Sequence, residues 1–140
     1  MSETPRTGAQ ALRQAIGATA LADPEIASLL AGPNIHDAVP DRARPPYVVI
    51  GRTSAADWST ATEEGEAVTL FLHVWTTAEH RNDNEAIQRA LRRVAGSALV
   101  LDAHQLVALR HELSETRRDP ATGHVHGLMR LRAIIEPQTN

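Results

Sequence analysis

Glu66-Ala67-Val68-Thr69-Leu70-Phe71-Leu72-His73-Val74-Trp75-Thr76-Thr77 is the stretch whose reading decides the fold. Side chains of a strand alternate between two faces. Val68, Leu70, Leu72 and Val74 then share an aliphatic face, and Thr69, Phe71, His73 and Trp75 share a half-aromatic one. The β-branched and aromatic content favours a strand over a helix. Both faces are expected to be covered, which marks an internal strand with the rest of the chain paired to it or packed on it.

Around this strand stand 140 residues, enough for one domain with its own core. Aromatics are few (Trp58, Trp75, Tyr47 and Phe71), so Ala, Leu and Val must fill most of the interior. Every basic side chain is arginine and none is lysine, which fits the codon bias of a GC-rich genome as well as selection for arginine chemistry. The formal charge of −3 argues against general nucleic-acid binding. With no cysteine there is no disulfide framework and no thiolate metal site. No apolar run reaches membrane-spanning length, and the N-terminus lacks a signal-peptide core, so the chain reads as a soluble cytosolic product.

In chain order, residues 1–8 read as a flexible arm, residues 9–137 as the domain and residues 138–140 as a tail. A helix is expected from Ala9, with Leu12, Ala15, Ile16 and Thr19 recurring at helical spacing and Arg13 and Gln14 turned outward. Asp23-Pro24-Glu25 restarts it: Asp caps, Pro suits the first position and Glu faces the positive helix end. Gly32-Pro33 stops this segment, and a short extended piece with Ile35 inward follows. Tyr47-Val48-Val49-Ile50 reads as a short strand ended by Gly51, and Thr53 to Gly65 as a polar loop. Trp58 in that loop is either a core anchor or a partner contact. The main helix is expected over about Asp83 to Leu99, capped by Asn82 or Asp83. Ile87, Ala90, Leu91, Val94 and Ala98 form its apolar stripe, and Glu85 and Arg89 an i, i+4 pair. Two strands follow, with turn residues Asp119 to Gly123 between them. Val107, Leu109, His111 and Leu113 share one face of the first, and Val125 through Ile135 at alternate positions one face of the second. That pairing sets Leu113 against Met129, Leu109 against Ala133, Glu112 against Arg130 and Arg110 against Arg132. The sum is an α+β fold: a four- to five-stranded, mainly antiparallel sheet with helices packed on one face.

Chemistry is thin. His124 and His126, two apart in a strand, form the most suggestive metal pair, with no thiolate nearby. His73 beside Phe71 and Trp75 reads as a packed or interface histidine. Ser59 lacks a nucleophile-elbow context, and Asp57, Glu63, Glu64 and Glu66 have no acid–base spacing. No phosphate or dinucleotide loop occurs. No catalytic, cofactor-binding or metal residue is assigned, and no cofactor is expected.

The ordered set Leu12-Arg13-Gln14-Ala15-Ile16, Ile35-His36-Asp37-Ala38-Val39-Pro40, Pro46-Tyr47-Val48-Val49-Ile50-Gly51, Asp57-Trp58-Ser59-Thr60, His73-Val74-Trp75, Asn84-Glu85-Ala86 and His126-Gly127-Leu128-Met129-Arg130-Leu131-Arg132-Ala133 resembles the tail terminator, or tail-completion, family of long-tailed phages. It is similar above all to the version carried by gene transfer agents and prophages of alphaproteobacteria. The chain departs from that pattern at Thr76, where relatives have Ser, and at Arg81-Asn82-Asp83, where their turn is richer in glycine. The resemblance implies a non-enzymatic virion protein: a homo-oligomer, typically a hexameric ring, at the head-proximal end of the tail tube. Such a ring ends tube polymerisation and meets the tail tube protein on one side and the head connector or stopper on the other. It implies assembly in the host cytoplasm, residence in the tail or neck, no membrane partner and no sequence-specific nucleic acid, though DNA passes the lumen. Candidate interface residues are Trp58, Arg117, Arg118, Arg130 and Arg132. The alternatives are another ring-forming part of the same particle, a head-completion or tail-tube subunit, and a small metal-dependent enzyme using His124, His126 and His73.

Overall fold

The structure is a computed structural model and describes residues 6–138. Its elements run α1 (Gly8–Ala22), α2 (Pro24–Leu30), β1 (Ile35–His36), β2 (Tyr47–Asp57), β3 (Glu66–Thr76), a short 3₁₀ turn (Ala78–His80), α3 (Arg81–Ala95), β4 (His104–Arg118) and β5 (Val125–Pro137). The five strands form one sheet in the order β1-β2-β3-β5-β4. Only the two-residue edge strand β1 is parallel to its neighbour; the other pairs are antiparallel. The α+β expectation therefore holds, and β3 is the central strand.

The helices cover one face of this sheet. Val68, Leu70, Leu72 and Val74 of β3 are fully buried, together with Met129, Leu131, Ala133 and Ile135 of β5. Onto them pack Leu12 and Ile16 of α1, Ile26 and Leu30 of α2, and Ile87, Leu91 and Val94 of α3. The opposite face of β3 is not covered as its composition led one to expect: Thr69, Phe71, His73 and Trp75 are all half-buried. An internal strand needs neighbours on both edges, not layers on both faces, and β2 and β5 supply the edges.

Several boundaries differ from the expected ones, each for a local reason. Helix α1 starts earlier than Ala9. Thr7 and Gln10 form a capping box, Thr7 Oγ1 accepting from Gln10 N at 3.1 Å and Gln10 Oε1 accepting from Thr7 N at 2.8 Å. Of the arm expected over residues 1–8, residues 1–5 lie outside the described residues, as do 139–140 of the tail. Arg13 does not point outward: its guanidinium bonds the carbonyls of Ile50 and Gly51 and the Asp37 carboxylate at 3.1 Å, tying α1 to the middle of β2. Asp23 caps α2 as expected, accepting from Ile26 N at 3.0 Å. The helix closes on Ala31 in the left-handed region.

Strand β2 does not end at Gly51. A bulge between Ile50 and Thr53 carries it on to Asp57, so the loop shrinks to Trp58–Gly65. Helix α3 starts at Arg81, after the 3₁₀ turn, with neither Asn82 nor Asp83 as cap. It stops at Ala95, which leaves Ala98 exposed beyond its end. Glu85 lies near Arg81 (4.0 Å) in place of Arg89. Arg93 pairs with Asp23 (2.9 Å) and Glu25 (3.3 Å) of α2. No helix among the described residues is long and apolar enough to cross a membrane.

The β4–β5 hairpin has the expected pairs Leu109 with Ala133 and Arg110 with Arg132. Register shifts between Leu106 and Ala108 and between His111 and Leu113 then change the alternation. Leu113 stands opposite Arg130, not Met129, and Ser114 takes the Met129 position. A one-residue shift moves side chains to the other face, so Leu113 leaves the face of Leu109. Glu112, beside the shift, still reaches Arg130 at 3.3 Å.

Candidate interface on the open sheet face

The face of the sheet away from the helices can be read in rows from the register. One end carries Tyr47, Trp75, His126 and Arg117. The next row is Val49, His73, Leu128 and Glu115. Phe71, Arg130 and Leu113 follow, with the Arg52 guanidinium lying 5.2 Å above the Phe71 ring. Then come Ser54, Thr69, Arg132 and Arg110, and last Ala56, Ala67, Ile134 and Ala108. Gly51 makes the passage beside His73 possible: a Cβ there would stand 2.6 Å from His73 Nε2.

At the aromatic end the His126 ring stacks on Trp75 and lies edge to edge with His73. Its ring centroid is 4.3 Å from that of Trp75 and 5.1 Å from that of His73, both nearly parallel. His73 Nδ1 and His126 Nε2 are 2.9 Å apart and share a hydrogen bond. Burial holds both imidazoles below their ordinary pKa, and His73 and Arg117 add to the effect on His126. His124, the other member of the most suggestive metal pair, lies in the turn before β5 begins, and its backbone N–H donates to Thr122 Oγ1. Among the described residues no group of three potential metal ligands is brought together. His73 and His126 satisfy each other instead.

At the other end Trp58 leaves β2 and lies on the sheet under Arg132, whose guanidinium is 5.3 Å from the indole ring. Trp58 is 54% exposed and does not enter the core. A hollow of about 250 Å³ opens beside it, lined by Trp58, Ala108, Arg110, Arg132 and Ile134. The loop that follows is held by its own polar groups. Ser59 Oγ donates to Asp57 Oδ1 at 2.6 Å and accepts from Gly65 N, and Thr60 Oγ1 accepts from Glu63 N. Ser59 is thus spent on loop geometry, and its bond lowers the Asp57 pKa.

Of the five candidate residues, Trp58, Arg130 and Arg132 meet at the centre and lower end of this face, and Arg117 borders His126 at the other. Arg118 falls on the alternate row, opposite Val125, close to Gly123 of the turn. Arg117 and Arg118 together flank a hollow of about 370 Å³ at the hairpin tip. Another hollow, of about 440 Å³, lies instead beside α1, where Arg13 and Asp37 are paired with each other. Sequence reasoning missed Arg52, Arg110, the Trp75–His126 stack and the His73–His126 bond. The half-aromatic alternation of β3 was the signal for the stack. Nothing local signalled that Arg52 would be turned onto Phe71 by a bulge.

A face this rich in aromatic and guanidinium groups is suited to a macromolecular contact. The family model for tail completion protein gp17 matches residues 14–136. The chain belongs to the tail completion protein gp17 family. The tail completion protein gp17 of Bacillus phage SPP1 is 28% identical over 90 residues, which cover 64% of this chain and 67% of that protein. A solved chain from the virion of a native gene transfer agent particle superposes with a TM-score of 0.79 at 29% identity, covering 90% of this chain and 95% of the other. The protein is accordingly a structural tail completion protein and not an enzyme. This removes the metal-dependent alternative.

Proposed function

We propose that this tail completion protein closes the head-proximal end of a tail tube as a ring of identical subunits, hexameric in the reading given by its resemblance. The ring stops tube polymerisation, offers its other side to the head connector and lets DNA pass through its lumen. It forms in the host cytoplasm and remains in the neck of the finished particle. The observation that carries this reading is the superposition on a gene transfer agent virion chain over nearly the full length of both. The open sheet face supports it, because a closed ring needs a head-to-tail contact between two different surfaces of one chain. Trp58, Arg117, Arg130 and Arg132 on that face, with Arg118 at the hairpin tip, are its proposed contact residues.

The test is tail assembly in vitro with tube protein in excess. Added tail completion protein should cap tubes at one end and fix their length, with a ring of subunit density at the cap in negative-stain images. Incorporation along the whole tube would identify a tube subunit, and binding to heads without tails a head-completion subunit. Either outcome would replace this reading.

A further inference from the structure

We infer that the arginine row on the open face receives the Glu63–Glu64 loop tip of a second copy of this chain. The inference rests on the ring reading and names the groups that make its contact.

Arg110 and Arg132 are register partners, directly opposite on neighbouring strands. Arg130 lies two residues from Arg132, and Arg52 lies over Phe71, the register partner of Arg130. Among the described residues the only salt bridge to these four arginines is that of Glu112 to Arg130. Like charges directly opposite one another destabilise a sheet unless an anion comes between them. The faces of two of the guanidiniums are already used, Arg132 over Trp58 and Arg52 over Phe71. Among the described residues their N–H edges have no hydrogen-bonded partner, and such edges bind carboxylates in a bidentate manner.

The chain as a whole has a net charge of −3, so its carboxylate excess lies away from this row. Glu63 and Glu64 are the one place where two carboxylates are adjacent in sequence. Both are exposed at the tip of the β2–β3 loop, and neither has an ion pair among the described residues. The tip is held in shape by the Thr60 turn, with Thr60 N donating to the Glu63 carbonyl at 2.8 Å. Small residues, Ala61 and Thr62, precede the two glutamates. The hollow beside Arg110 and Arg132 has apolar walls, Trp58, Ala108 and Ile134. Such walls suit a protein loop with small side chains better than a phosphate backbone, which is met by solvated charge. Ordered shape on the donor side and stacked guanidiniums on the receiving side both limit the entropy lost on contact.

The experiment uses the full-length chain, with assembly followed by mass photometry on tail tubes and in free solution across a salt series. Wild type should form rings that weaken as salt rises. E63R/E64R and R110E/R132E should each lower assembly by at least about tenfold. E63R/E64R alters exposed loop residues only, so it reads out the contact even if the sheet variant folds poorly. Combining all four reversals should restore assembly. Rings formed by E63R/E64R at wild-type yield, or a fourfold variant that folds yet stays as defective as its parents, overturns the inference while leaving the ring reading in place. So does an R110E/R132E protein that assembles normally but loses binding to a labelled DNA duplex. A wild-type chain that forms no ring on tail tubes overturns the ring reading, and this inference with it.

Discussion

Asn84 occupies the space that a side chain on Gly127 would need. A Cβ at position 127 would overlap Asn84 Oδ1 and the Gln88 Nε2 bonded to it. Asn84 is fully buried, and its Nδ2 donates to the carbonyls of Val74 (3.0 Å) and Val125 (3.2 Å) and to Thr76 Oγ1. Gln88 continues the chain to Thr116 Oγ1 at 2.8 Å. One helical residue thus closes the ends of β3 and β5 and, through Gln88, touches β4.

Gly127→Ala is expected to break that network and cost about 1–3 kcal/mol, the penalty of leaving buried polar groups unpaired. Asn84→Leu should cost at least as much, since it strands two carbonyls and a hydroxyl. Urea denaturation followed by circular dichroism measures both. Gly65→Ala serves as control, because a Cβ there meets nothing closer than 3.5 Å. A Gly127→Ala midpoint equal to that of the control would show the network to be energetically idle.

Leu91→Asp is expected to be the most damaging single change on α3. Leu91 is 1% exposed and faces the sheet, so the carboxylate would be buried without a partner. The loss should exceed about 3 kcal/mol. A thermal melt superposable on wild type would contradict the packing of α3.

The hydrogen-bonded histidine pair predicts a pH dependence. His73 and His126 titrate below 6.5 in the folded protein because burial penalises the charged imidazole. The unfolded chain then binds more protons between the folded values and 6.5, so stability rises with pH through that window. Stability is fully present above 6.5 and is lost as pH falls through the folded values. Arg117, opposite His126, opposes protonation further, while Asp119 favours it weakly. At lower pH a second loss is expected from Asp23, whose carboxyl Arg93 and the Ile26 N–H hold below 3.8. Melting temperatures across a pH series should fall first near 6.5, and His73→Phe/His126→Phe should flatten that first fall. A wild-type profile flat through this range would show that the pair carries no linkage.

What could be read from the sequence was what depends on local period. The β3 alternation, the Ile87 to Val94 stripe and the turn at Asp119 to Gly123 each announce themselves within a dozen residues, and each stands where expected. Gly51 misled because glycine ends a strand or bulges it, and only the pairing with β3 decides which. Leu113 misled because the shift beside Glu112 reverses the parity of everything after it. Nothing local to α3 signals the burial of Asn84 and Gln88, because their partners lie on β3, β4 and β5. The candidate interface was legible in its members Trp58, Arg130 and Arg132. Its extent was not, because Arg52 and Arg110 join it through a bulge and a cross-strand register.

Trp58→Ala separates folding from assembly. The indole is half in solvent and meets Arg132 from one side, so its removal forfeits a cation–π contact worth about 0.5–1 kcal/mol at an exposed site. The free subunit should therefore keep its circular dichroism spectrum and melt within a few degrees of wild type. In an assembled ring the same side chain would be enclosed, and truncating an enclosed interface tryptophan costs more than about 2 kcal/mol. Ring formation and tail capping should drop accordingly, while Arg132→Gln, which keeps the stem and removes the charge, should show a smaller loss. Size by mass photometry and capped-tail yield by negative-stain microscopy give the two readouts on one preparation. An unfolded Trp58→Ala subunit would make Trp58 a structural anchor despite its exposure. A folded variant that caps tails at wild-type yield would remove Trp58 from the contact and shift the weight of the interface to the aromatic end, where His126 and Trp75 stack.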